Sequence, residues 1–181
     1  MIIDTPILTE RLILRSLTEA NVDPHYLGWL SDADIVRFLE VRFSPPSTLD
    51  ALAKFVAAAN DSSNELLLGI FREDASRHIG NIKLGPVCRN HNRADLGFLI
   101  GDREEWGKGY ATEAISAVAR FALIELQLAK VTAGCYESNH GSARALEKAG
   151  FVQEAKLHKH WSCGGAREDG LLFAMTSPSA R

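Results

Sequence analysis

Near the middle of the chain, Gly107-Lys108-Gly109 sets one cation between two glycines, residues whose backbone can lie close to a ligand. The apolar run before them reads as a strand and the run after them as a helix. Several amide N–H groups and the positive end of that helix would then point at one spot, which is the chemistry of an anion site. Two familiar phosphate loops fail on spacing. A Walker-type loop needs Gly, four residues, then Gly-Lys-Ser/Thr. A dinucleotide fingerprint needs a third small residue where Thr112 stands, and an acidic residue about 20 positions later that is missing here. Glycines at a strand-to-helix turn can also serve the turn alone, so the surrounding sequence has to decide. A second cluster, His158-Lys159-His160, sets two imidazoles at strand spacing. No carboxylate or cysteine stands near them at ligand spacing, so they read as a surface strand and no metal is expected.

The elements that position the loop follow from periodicity. Ile7 to Leu17 alternates and predicts an opening strand. Val22, Tyr26, Trp29 and Leu30, then Ile35, Val36 and Leu39, predict two short helices, ended by Ser44-Pro45-Pro46-Ser47. Leu49, Leu52, Phe55, Val56 and Ala59 recur at three and four residues and predict a helix to about Asn60. Leu66 to Phe71, His78 to Val87 and Asp95 to Ile100 predict three sequential strands. Ala111, Ala114, Ile115, Val118, Phe121 and Ala122 line one face of a helix over Tyr110 to Glu125. Lys130 to Tyr136 predicts a strand, and Asn139 to Ala149 a helix stopped by Gly150. Phe151 to Trp161 and Leu171 to Met175 predict closing strands. The fold class is α/β (α+β): a mixed sheet of about seven strands with flanking helices. One domain is expected over residues 1–176, with a frayed tail over 177–181.

Composition excludes several classes. Lys and Arg number 20 against 23 Asp and Glu, for a net charge of -3, so no basic field exists to hold nucleic acid or an anionic membrane. No run approaches the roughly 18 apolar residues of a membrane span. Cys88, Cys135 and Cys163 are odd in number and far apart, which argues against a disulfide framework and for a reducing, cytoplasmic location.

Over a longer stretch the chain resembles the GNAT superfamily of acetyl-CoA-dependent N-acetyltransferases, in particular the branch that includes ribosomal-protein N-terminal acetyltransferases. That family's loop runs Gln/Arg-x-x-Gly-x-Gly/Ala. Trp106-Gly107-Lys108-Gly109-Tyr110-Ala111 is similar to it, with Trp106 in the first place as is common in the branch, and Thr112-Glu113-Ala114 continues the likeness. Asn139-His140-Gly141-Ser142 and Leu146-Glu147-Lys148-Ala149-Gly150-Phe151 resemble the branch's second signature. Asp95-Leu96-Gly97-Phe98-Leu99-Ile100 resembles its central strand and Arg11-Leu12-Ile13-Leu14-Arg15 its opening one.

The resemblance implies a sheet splayed between the fourth and fifth of the predicted strands, Asp95 to Ile100 and Lys130 to Tyr136. Backbone groups of Phe98, Leu99 and Ile100 would bond the pantetheine arm as an added strand. The amides of Gly107, Lys108, Gly109, Tyr110, Ala111 and Thr112 would hold the pyrophosphate, with Lys108 adding charge. Asn139 would fix the far side of the pantetheine, or serve as a plain helix N-cap. Trp106 would contact the cofactor or anchor the packing.

Acetyl transfer needs a neutral amine and a proton for the leaving thiolate. Many family members place a Tyr one turn into the last helix as the acid, where this chain has Leu146. The resemblance passes the role to Ser142, whose alternative is an ordinary polar residue in a first helical turn. For the base, Asp95, Glu105 and Glu137 are candidates, each with the alternative of a solvated surface carboxylate, and a proton-conducting water chain is a further option. The acceptor is expected to be an amine on a small molecule or peptide, such as a protein N-terminus or an amino sugar; Trp29, Arg37, Phe38, Glu40 and Arg42 either line its cleft or pack an amphipathic helix pair. A homodimer through the C-terminal strands is also expected. Two alternatives stand beside an acetyltransferase: a non-catalytic acyl-CoA-binding or sensing domain, for which the loss of Tyr at Leu146 is the best argument, and a nucleotide-dependent oxidoreductase, which rests on the imperfect glycine spacing alone.

Overall fold

A computed structural model describes residues 1–74 and 77–177. The predicted frayed tail falls, apart from Ser177, outside the described residues. Among the described residues, eight strands form one sheet in the order β1-β2-β3-β4-β5-β6-β8-β7. The opening run is two strands rather than one: β1 (Ile7–Leu8) folds back on β2 (Leu12–Ser16) through a turn in which Thr9 Oγ1 bonds Leu12 at both its N–H and its carbonyl. β3 (Leu66–Arg72) and β4 (His78–Cys88) continue the antiparallel meander into β5 (Arg93–Ile100). The unbroken apolar stretch of β3 fits its place inside the sheet, with both faces covered.

Helix α1 (Pro24–Ser31) begins on an Asp23 side chain that accepts from the Tyr26 N–H, and α2 (Leu49–Asp61) begins on Thr48 in the same way. The second of the two helices predicted before residue 40 does not form. Asp32 Oδ1 accepts from the N–H groups of Asp34 and Ile35 and turns the chain there, so Ile35 to Leu39 runs as a wall beside the sheet. Among the described residues the only parallel pairing is between β5 and β6 (Lys130–Tyr136), joined through α3 (Tyr110–Ile124). α4 (His140–Lys148) closes in a Schellman turn, with Phe151 N–H to Leu146 O, Gly150 N–H to Glu147 O, and Gly150 at φ 97°. β7 (Val152–Cys163) and β8 (Ala166–Thr176) make a long hairpin that turns on Gly164 and Gly165, both at positive φ.

Two cores result. α3 and α4 bury Ala114, Ile115, Val118 and Leu146 together with Leu14, Ile82 and Phe173 of the sheet. α1 and α2 bury Tyr26, Trp29, Leu52 and Val56 against Leu67 and Phe71. Trp29 lies so close to Gly101 that a Cβ there would sit 2.1 Å from the indole. This contact packs α1 against the end of β5, where the glycine loop begins.

Candidate active site

The glycine loop is held open by backbone conformation and by ion pairs. Gly107 and Gly109 have φ of 76° and 87°, the left-handed region that costs other residues roughly 1–2 kcal/mol. A Cβ at Gly107 would meet nothing within 4 Å, so its face is open to a ligand. Gly109 is the N-cap of α3 and has no side chain to cap it, which leaves the first N–H groups of the helix turned to the cleft. Behind the loop, Glu105 is 2% exposed and is clasped by Lys108 at 2.9 Å and Arg72 at 3.0 Å. Lys108, and Arg72 with it, hold the Glu105 carboxyl below its ordinary pKa despite burial.

A second brace comes from the other end of the chain. Arg11 donates through Nη1 to the carbonyl of Lys108 at 3.1 Å and through Nε to Glu113 Oε2 at 2.8 Å, and its guanidinium stacks 4.6 Å from the centre of the Tyr110 ring. Glu113 also accepts from Thr9 Oγ1 at 2.6 Å and from the Arg11 N–H at 2.9 Å. Burial pushes the Glu113 carboxyl up, but these hydrogen bonds outweigh it and hold the group below its ordinary value of 4.5. We expect Glu113→Gln to cost about 2 kcal/mol, or about 6 °C in Tm. A carboxyl held low in the folded state adds stability above its unfolded pKa and loses it in acid. The wild-type advantage over E113Q should therefore be full at neutral pH and shrink as pH falls below 4.5, which urea denaturation at several pH values would measure. A constant difference down to pH 3 would remove Glu113 as a charged brace.

The sheet opens next to this loop. β5 and β6 pair only at Arg93↔Lys130, Ala94↔Val131 and Asp95↔Thr132. Beyond Asp95 the strands separate, and a cleft of about 790 Å³ runs between Phe98 to Ile100, the glycine loop, the start of α4 and the wall over residues 34–39. Gly101 N–H bonds Ile79 O, so by the two-residue alternation of an antiparallel ladder Leu99 turns its backbone toward Asn81 of β4. Phe98 and Ile100 turn theirs into the splay. The expectation for Leu99 is thus corrected: its backbone serves the sheet, and its side chain packs against the α1 and α2 core. The Ile100 carbonyl is also taken, by Trp106 Nε1 at 2.7 Å, so Trp106 anchors the end of β5. The Phe98 N–H and carbonyl and the Ile100 N–H remain directed at the cleft.

Across the cleft, Asn139 Oδ1 accepts from the Ser142 N–H at 3.1 Å and caps α4. Asn139 and Ser142 both line the cleft, so the cap and the cleft contact coexist in one residue. Leu146, at the place where a tyrosine acid is common, is fully buried in the core. The three candidate bases separate. Asp95 sits where β5 and β6 are still paired, bonded to Arg93 at 3.0 Å and to the Thr132 hydroxyl. Glu137 is paired with Lys156 at 2.6 Å. Neither lines the cleft, whereas Glu105 does but is doubly paired. Asp34 is the other carboxylate of the cleft lining, and it binds Arg103 at 3.2 Å.

Of the residues expected to receive an acceptor, Arg37 and Phe38 line the cleft. Trp29 is 4% exposed in the α1 core, and Glu40 and Arg42 lie off the lining, Arg42 bonding the Leu39 carbonyl of the wall. Sequence reading missed Arg144 and Lys148. Both line the cleft, and their i, i+4 spacing sets them on one face of α4 with Gly141 and Ala145, a pattern that could have revealed them. His158 pairs with Asp169 at 3.2 Å, and Lys159 at φ 46° interrupts the pleat beside it, so the two imidazoles do not share a regular strand face.

The acetyltransferase (GNAT) domain family matches residues 11–152. The uncharacterized N-acetyltransferase YoaA of Bacillus subtilis is 30% identical over 96% of this chain and 98% of its own length. Among solved structures, a GNAT-family acetyltransferase from Bacillus anthracis superposes with a TM-score of 0.81 at 22% identity, over 95% of this chain and 98% of that one. Spermidine N-acetyltransferase from Vibrio cholerae, in complex with CoA and spermine, superposes with a TM-score of 0.81 at 20% identity, over 93% and 97%. These two likenesses are of fold.

Proposed function

The chain belongs to the GNAT acetyltransferase family and is an acyltransferase, and on that premise we propose that it transfers the acetyl group of acetyl-CoA directly to a primary amine of a protein N-terminus or a small molecule such as an amino sugar. The observation that carries this reading is the separation of β5 from β6 beyond Asp95, facing the uncapped first turn of α3. The residues present suit the donor: an open strand edge for an amide-bearing arm, and a glycine cradle with a helix N-terminus for a pyrophosphate.

Acetyl-CoA, when bound, supplies a thioester whose acyl carbon is open to attack. Gly107 to Thr112 hold the pyrophosphate by their N–H groups, and Phe98 and Asn139 position the pantetheine from either side. A backbone N–H of β5 polarises the thioester carbonyl. The acceptor nitrogen forms the new C–N bond as the C–S bond breaks, Ser142 gives its proton to the departing sulfur, and the proton shed by the acylated nitrogen returns to the Ser142 oxygen through cleft water. The carboxylates of the cleft are already paired, which supports deprotonation of the acceptor through cleft water. The family match and the named relatives favour the enzyme over a sensing domain. The odd number and wide spacing of Cys88, Cys135 and Cys163 support a cytosolic setting.

Calorimetric titration with acetyl-CoA, followed by a thiol-release assay over N-terminal peptides, amino sugars and polyamines, tests the reading. We expect micromolar binding and turnover on one acceptor class. Absence of binding would overturn the assignment of the cleft.

A further inference from the structure

The charges of the cleft do not cancel. Arg37, Arg103, Arg144 and Lys148 line it against Asp34 and Glu105 alone, in a chain whose net charge is -3. Both carboxylates are already engaged, Asp34 by Arg103 and Glu105 by Arg72 and Lys108. Arg144 and Lys148 stand on α4 beside the glycine loop. On the opposite wall stands Arg37, whose guanidinium lies 4.9 Å from the Phe38 ring and has no carboxylate partner among the described residues.

Arg42 stands behind that wall, half-buried. It donates to the Leu39 carbonyl at 2.8 Å, the Tyr136 hydroxyl at 2.6 Å and the Ser162 carbonyl at 2.7 Å, and it stacks against Phe43 at 4.2 Å. All these acceptors are neutral, so the guanidinium is fixed in direction and its charge is not compensated. Phe38, Tyr136 and Trp161 run past it as a row, with ring centres 5.4 and 5.0 Å apart, at the end of β6 where the strands have parted.

From this arrangement we propose that the amine acceptor carries an anionic group, a carboxylate or a phosphate, which Arg37 receives at the acceptor side of the splay while the charge of Arg42, behind the wall, adds to the attraction. The inference rests on the reading of the cleft as an amine acetyltransferase site. Arg37, exposed and without a hydrogen bond among the described residues, has its whole guanidinium fork available for a planar or tetrahedral oxyanion. Its charge also repels an ammonium, lowering the pKa of an amine held nearby and easing its deprotonation where no free carboxylate lines the cleft. The same charge disfavours a polycationic acceptor.

Coenzyme A adducts test this without knowledge of the natural acceptor. CoA is joined through an S-acetyl bridge to glycine, to glycinamide, to 2-aminoethyl phosphate or to spermidine, and each adduct is titrated calorimetrically into the wild type, Arg37→Gln and Arg42→Gln. We expect the glycine or phosphate adduct to bind at least about tenfold more tightly than the glycinamide adduct, the better of the two naming the anion. That advantage should fall to about twofold or less in the variants. Equal affinities in the wild type, or tightest binding of the spermidine adduct, would overturn the proposal, as would an anion advantage that survives both substitutions. Arg37 makes no hydrogen bond among the described residues, so R37Q keeps the test valid if R42Q disturbs the wall. Failure of every adduct and of CoA itself would instead overturn the acetyl-CoA reading beneath it.

Discussion

Gly109→Asp should abolish measurable binding of acetyl-CoA while leaving the protein folded. The residue lies at φ 87° with only Arg11 Nη2, at 3.5 Å, near the position of a Cβ, so an added side chain meets no packed core. Aspartate tolerates the left-handed region better than most residues, which keeps the cost to folding small. Its carboxylate would stand at the open start of α3, where the pyrophosphate oxygens approach. Two like charges about 4–5 Å apart near a protein surface repel by about 3–4 kcal/mol, which is at least about a 100-fold loss of affinity. Calorimetry against acetyl-CoA reads the loss, and circular dichroism with a melting curve confirms the fold. Unchanged affinity in a folded variant would move the pyrophosphate site elsewhere.

Ser142→Ala carries the second large effect. The Ser142 N–H, not its hydroxyl, completes the cap on Asn139, and alanine keeps that N–H. The start of α4 and the cleft wall it forms should therefore survive the substitution. What is lost is the hydroxyl proposed to protonate the leaving sulfur. General acid catalysis is worth about 10²–10⁴-fold, and with a weakly acidic serine we expect kcat to fall by about 100-fold with the affinity for acetyl-CoA within about twofold of wild type. Pre-steady-state acetyl transfer, measured with the donor saturating, separates the two quantities. A wild-type kcat would remove Ser142 from the chemistry, and a parallel loss of kcat and affinity would make it a binding residue.

These expectations depend on how each residue is used, and the sequence exposes that use unevenly. Lys130 to Tyr136 is predicted and observed as a strand with the same ends, because alternating apolar residues bounded by polar ones describe a strand without reference to its neighbours. Gly150 stops α4 by a local rule of backbone conformation. By contrast, Ile7 to Leu17 reads as one strand and folds as two, since the turn depends on Thr9 bonding Leu12 and Glu113 together. Ile35 to Leu39 carries a helical spacing that loses to the side chain of Asp32, which is itself fixed by Arg103 about 70 positions later.

The sequence by itself determined the order of the elements from α2 onward, the place of the glycine loop between a strand and a helix, and Asn139 as the cap of α4, because each is a spacing along one segment. Only the tertiary structure decided what those residues can do. It parts β5 from β6 after Asp95 and turns the Leu99 backbone away from the gap while Phe98 and Ile100 face it. It commits Trp106 to the Ile100 carbonyl, brings Arg11 onto the loop from 97 positions away, and binds Asp95, Glu105 and Glu137 to cations. The physical reason is that a carboxylate's basicity and a strand edge's availability depend on what stands within a few ångströms, and those neighbours come from chain segments that no local pattern relates.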